Sequence, residues 1–471
     1  MSRIRRFLRS NVAASATQQA TQVLAGLGLQ LYLASKLTKS DFGTIAFIGS
    51  VMAMAMVPAQ MRISQLIARH VARNHESANL WMARGQWTTL LLAPVAALVA
   101  FTWVGLQDGR PLVMVAMAFA IVGMLFNSMM TIPDAILQGL SRLSPIAPAW
   151  IVGRVILVTA TIVTVEQGYT IVGVYFGQAL GPMVVLVMLY VAVRRTIGSW
   201  PLRVPFSESI ALIRESVPFA SAALFGAVYL LIDVILLEYL RGDEEVAVYR
   251  VASLAVIHLP ILSLVLIRTL YPRMSAHHGK PLVAGEELNF TIRIMMVMSI
   301  PMAVGGMLVA EPLVTTLVDD RYADATLPML WLLPMVPLRF VNNVTGMTMN
   351  ALDLPGLRAR GMAIAALSNV ILNLLLIPEY GAVAAGATTL AADMFLVVYQ
   401  AIAVRRVASG VNYLTAIVRV LPALTVMVAV VLATPQLHVM LRVTVAGLVY
   451  AAVIVVTGVV TRSQLGRLMR T

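Results

Sequence analysis

The chain has no cysteine, which excludes disulfides and thiol chemistry. Charge is scarce as well. Only 12% of the 471 residues are Asp, Glu, Lys or Arg, and aromatic residues make up 7%. No polar stretch is long enough to fold as an extramembrane domain. Also missing are G-x-x-x-x-G-K-[ST], G-x-S-x-G and H-E-x-x-H, so nucleotide hydrolysis, serine-hydrolase and zinc-protease chemistry have no motif. His277 and His278 stand in a loop without further metal-ligand spacing, and neither cofactor nor metal is expected. What is present is apolar. Hydrophobic residues are 60% of the chain, mean hydropathy is +0.87, and the apolar residues come in helix-length blocks. One soluble core could not hide that surface, whereas a bilayer accepts each block of about 20 residues as a helix. The fold class is therefore all-α, a polytopic membrane protein.

Hydropathy gives about fourteen spans: 12–34, 43–68, 86–105, 111–137, 146–165, 169–193, 217–239, 246–270, 290–310, 326–351, 361–377, 381–404, 414–433 and 437–460. The first twenty residues lack the compact apolar centre of a cleaved signal. With the amino terminus in the cytoplasm, 22 of the 34 Lys and Arg fall on the cytoplasmic side and six outside, so both termini are expected inside. The same distribution accounts for the net charge of +13: it is a topology signal and an attraction to anionic headgroups, not a nucleic-acid surface.

Two halves are visible. The stretch from Ser35 to Ser50 lines up without gaps on Glu238 to Ser253, and span six ends in Ala192-Val193-Arg194-Arg195 where span twelve ends in Ala403-Val404-Arg405-Arg406. Spans one to six and seven to twelve read as a parallel repeat. The expected division is residues 1–200, a first six-helix bundle; 201–410, a second; and 411–471, two further helices and a cytoplasmic tail.

Polar groups inside the spans carry the functional reading, because an ionised side chain at the bilayer centre costs about 2.5 to 3.5 kcal/mol on the insertion scale. Arg62, Arg154, Arg250 and Arg339 lie well inside spans, while Arg293 and Arg419 lie near ends. Arg339, Asn343, Gly346 and Asn350 share one helical face, as do Asn11, Ser15, Gln18 and Gln22 in span one. Arg268 follows Arg250 by 18 residues, five full turns on the same face. Among the acids, Asp233 lies at the depth of Arg250 across the Arg241-Gly242 turn, an ion pair or a coupling site. Asp393, Asn369 and Asn373 suit ion coupling or helix pairing, with pairing the simpler reading. Gly173, Gly177 and Gly181 have the spacing of close helix packing. His258 stands alone, as a hydrogen-bonded core histidine would.

Three motifs carry a resemblance. Leu37-Thr38-Lys39-Ser40-Asp41-Phe42-Gly43-Thr44, Leu137-Gln138-Gly139-Leu140, and Asn369-Val370-Ile371-Leu372-Asn373-Leu374 followed by Ile377-Pro378-Glu379-Tyr380-Gly381 resemble the polysaccharide-transporter branch of the multidrug/oligosaccharidyl-lipid/polysaccharide exporter superfamily. The resemblance implies an O-antigen-type flippase rather than an enzyme, carrying an undecaprenyl-pyrophosphate-linked oligosaccharide across a bacterial inner membrane by alternating access. It also implies a central cavity between the halves. Membrane lipids are the surroundings, and a polysaccharide polymerase and chain-length regulator are candidate partners.

The residue inventory agrees in sign. Guanidinium groups at Arg62, Arg154, Arg250 and Arg339, with Arg268 near the cytoplasmic mouth, suit a pyrophosphate through forked hydrogen bonds. Gln18, Gln22 and Asn343 suit sugar hydroxyls. Two alternatives of the same superfamily stand beside this. Lipid II flippases typically bear an Arg-Gly-Arg-Asp pattern in the first helix that is missing here, and multidrug or cation antiporters would want acids in excess of bases.

Overall fold

The computed structural model describes residues 21–201, 203–260, 262, 263, 267, 274 and 280–459. Among them there is no strand. The helices begin and end where local chemistry dictates. After α1 (21–36), Thr38 caps α2 (Lys39–Gln60) by accepting from the Asp41 amide. Pro58 precedes a break at Met61 and Arg62, both left-handed with φ of 43° and 56°, and α3 (Ile63–Arg73) then continues the span. α4 (Ala78–Gln107), α5 (Pro111–Gly139), α6 (Ile146–Glu166) and α7 (Thr170–Ile197) are all long and apolar enough to cross a membrane. α8 (Phe206–Arg241) ends at Gly242, whose φ of 88° opens the turn into α9 (Asp243–His258).

The second half holds α10 (Pro281–Leu308), the short α11 (Ala310–Leu317) and α12 (Thr326–Leu332), then α13 (Met335–Ala351). α14 (Pro355–Val404) has 50 residues, about 75 Å if straight, more than twice the hydrocarbon thickness. It is instead a hairpin broken at Gly381, where φ is 55° and ψ −133° after Pro378. Hydrogen bonds from Asn369 to Thr389 and from Thr388 to Asn373 lace its arms together, and the two arms correspond to spans eleven and twelve. α15 (Tyr413–Ala433), capped by Asn412, and α16 (Val439–Val456) complete the chain. Ten described helices are long and apolar enough to cross a membrane. The second arm of α14, the span shared by α12 and α13, and the helices α1 and α9 are consistent with the expected fourteen.

The chain divides into two units, Met1–Ala247 and Val248–Thr471. Within the first, α8 packs along α2 and α4. Arg84 binds Glu208 at 2.6 Å, and Glu215 accepts from Arg69. At the other end of α8, Gly43 on α2 meets the Asp243 carbonyl so closely that a Cβ there would lie 1.7 Å from its oxygen. α8 is thus fixed to the first unit at both ends. The expected glycine packing is present as well. Gly177 lies against Thr161 and Leu157, and Gly181 against Gly153, which brings α6 and α7 backbones together.

Candidate functional site

In the first unit, the intramembrane arginines differ in setting. Arg62 occupies the left-handed break between α2 and α3 and is exposed. Arg154 on α6 is half-buried, directly after the Gly153 that lets α7 approach. Neither side chain has an ion pair or hydrogen bond among the described residues. Gln22 is half-buried on α1, and Gln18 lies outside the described residues. Asp233 is buried in α8 and is engaged, not free.

In the second unit, polar groups are tied to one another. The Arg339 Nε of α13 donates to Asp393 of α14 at 3.0 Å, and Asn342 donates to the other carboxylate oxygen at 3.2 Å. Arg339 therefore serves first as the partner of an acid that is 1% exposed. Asn343 donates to Ser263 at 2.9 Å. Asn373 donates to Asn369 at 3.1 Å, and both are fully buried with Thr388 and Thr389 inside the α14 hairpin. Asp393, Asn369 and Asn373 all lie in helix-pairing contacts. Arg250 is half-buried on α9 and engaged, while Arg268 lies outside the described residues. His258 departs from expectation: its buried Nε2 has no hydrogen-bond partner among the described residues.

The second unit also contains a groove of about 750 Å³. α15 packs along both α10 and α16, but α10 and α16 scarcely touch, and the space between them is walled by Val297, Met302, Met427, Ala446 and Ile454. The hydroxyl of Tyr450 is turned out of use by donating to the Val297 carbonyl at 2.8 Å. The wall is consequently apolar, and hydropathy alone did not reveal it because each helix looks like an ordinary span.

Two further groupings escaped the sequence reading. Between α4 and α5, Arg110 forks onto Asp108 and reaches Thr44 at 3.2 Å, while Ser40 donates to Asp243 at 2.6 Å. Burial pushes the Asp108 carboxyl up, yet the Arg110 side-chain and backbone hydrogen bonds hold it below the ordinary aspartate value. The second is Arg358, expected in a cytoplasmic loop and found in the first turn of α14 against Gly346. The glycine in the polar stripe of α13 was its only sequence signal.

The sequence pattern of the polysaccharide biosynthesis protein family matches residues 8–278, more than half of the chain. The chain belongs to that family. A polysaccharide biosynthesis protein of this kind is the transporter branch whose likeness the loop motifs carry, and it is a multi-pass membrane protein. Among characterised relatives, the probable low-salt glycan biosynthesis flippase Agl15 of Haloferax volcanii is 21% identical over 377 residues, 77% of each chain. Among solved structures, the lipid II flippase MurJ in an inward closed conformation matches with a TM-score of 0.78 at 13% identity, over 93% of this chain and 97% of that one. An inward-facing multidrug resistance MATE family transporter of the MOP superfamily matches at 0.64 and 16% identity, over 82% and 95%. These structures share the fold of this polysaccharide biosynthesis protein.

Proposed function

We propose that this polysaccharide biosynthesis protein is a flippase that moves a polyprenyl-pyrophosphate-linked oligosaccharide across the bacterial inner membrane by alternating access, with both termini in the cytoplasm. The apolar groove of about 750 Å³ carries the reading. Such a cargo has three chemically distinct parts, and a transporter must hold the isoprenoid tail in hydrocarbon while its head crosses. A groove whose polar atoms are satisfied elsewhere suits the tail and offers nothing to sugars. Guanidinium groups inside the spans suit the pyrophosphate, since forked donors match its oxygens. Arg154 is the first choice in this role because no acid among the described residues neutralises it; Arg62 and Arg250 are the further candidates. The glycan-flippase relative supports the same cargo class. A polysaccharide polymerase and a chain-length regulator are the partners that would consume the product.

The test is a flipping assay with defined lipid-linked oligosaccharides, in cells lacking the gene or in vesicles. The wild-type chain should export the oligosaccharide lipid, and Met302→Trp, which fills the groove, should slow export at least tenfold while leaving insertion intact. Export of a cationic drug with no oligosaccharide flipping would overturn the reading. The likeness to MurJ over 93% of the chain favours one second reading, lipid II as cargo. A peptide-bearing substrate exported in preference to a peptide-free one would select it.

A further inference from the structure

Arg358 is the charged group whose surroundings ask most plainly for a ligand. It sits one turn into α14, where a snorkelling arginine would send its head to water. Instead the guanidinium lies along α13. A Cβ on Gly346 would come within 2.9 Å of Arg358 Nε, 3.3 Å of Cζ and 3.5 Å of one terminal nitrogen. A Cβ there would push the guanidinium off its seat. The Nε is buried and has no acceptor, and Arg358 makes no ion pair among the described residues. A buried charged donor left without an acceptor is unfavourable. An acceptor from outside the chain would relieve it.

Two hydroxyls at this end of the unit also lack partners among the described residues. Thr345 precedes Gly346 on α13, and its buried hydroxyl faces the hydroxyl of Tyr413, the first residue of α15, without either closing a normal hydrogen bond. Arg405, at the end of the α14 hairpin, is close enough to act on Tyr413 electrostatically. The hairpin explains the gathering: Gly361 packs on Tyr399, so the first turn of α14 and its last come to the same side of the membrane. The positive-charge distribution assigns that side to the cytoplasm. Arg339, about two turns before Gly346 on α13, already has Asp393. Arg358 has no such acid among the described residues.

We infer that Arg358, seated on Gly346 with its Nε buried and lacking an acceptor among the described residues, is a binding residue for a phosphate-type anion at the cytoplasmic end of the second unit. Resting on the flippase reading, the anion is the pyrophosphate of the lipid-linked cargo on entry. Free pyrophosphate has the same chemistry, and the test separates the two.

The experiment uses the full chain in nanodiscs with three probes: undecaprenyl pyrophosphate, undecaprenol and inorganic pyrophosphate. Arg358→Gln should weaken undecaprenyl pyrophosphate about tenfold or more, the loss of one charged donor set, and leave undecaprenol unchanged. Gly346→Ala keeps the charge and moves it, and should weaken the same probe in the same direction, so the inference survives a poorly folding Arg358 variant. Undiminished binding of undecaprenyl pyrophosphate by both folded variants overturns the inference, as does an equal loss for undecaprenol. Arg358-dependent binding of inorganic pyrophosphate alone keeps the anion site and rejects the lipid as its source. Failure of the wild-type chain to flip any lipid-linked sugar, with Arg358-dependent pyrophosphate binding intact, would count against the flippase reading and not against the site.

Discussion

By sequence, Arg154 of the first unit and Arg339 of the second unit look alike in depth: each is an arginine well inside a span, Arg339 on a face it shares with Asn343 and Asn350. Their environments are opposite. Arg339 is locked to Asp393, which also takes a hydrogen bond from Asn342, whereas Arg154 has no protein acceptor among the described residues. Depth in the membrane therefore does not say what a guanidinium is for. A paired arginine spends its charge on holding two helices, and an unpaired one keeps it for water, lipid phosphate or cargo.

The contrast can be broken from the second unit. Asp393→Ala strands the Arg339 charge, and the expected loss is about 3 to 5 kcal/mol, the range for removing one member of a buried pair. Thermal melting of the purified protein in nanodiscs reads it directly. The double change Arg339→Leu with Asp393→Leu should recover most of that loss. A single variant as stable as wild type would mean that the pair is not structural.

The next effect is on the first unit and has the other sign. Arg154→Met removes a charge that no group among the described residues satisfies, so stability should hold or rise by about 1 kcal/mol. Export should fall at least tenfold in the same assay that tests the function. Export at the wild-type rate would remove Arg154 from the cargo path. A clear drop in melting temperature would show that it supports the fold.

The smallest effect sharpens the comparison within the second unit. Asn373→Ala deletes hydrogen bonds to Asn369 and Thr388 in the hairpin, for an expected cost of about 1 kcal/mol, typical of side-chain bonds between membrane helices. Export should persist in proportion to the folded fraction. Loss of export at unchanged stability, or a changed dependence on proton or sodium gradients, would move Asn373 from helix pairing to ion coupling.

Hydropathy, turn residues and loop motifs determined by themselves that this chain is an all-α membrane protein of the polysaccharide-transporter branch. They also placed most spans, including the two arms that meet at Gly381. Those properties are sums over neighbouring residues, and a bilayer reads them one segment at a time. The tight glycine spacing of α7 was legible for the same reason, since it repeats along a single helix. The tertiary structure alone decided which charges stay available. Arg339 finds its acid 54 residues away, and Arg358 finds a glycine 12 residues before it on another helix. Such meetings depend on the rotation and depth of one helix against the next, which side-chain packing sets and local sequence does not encode.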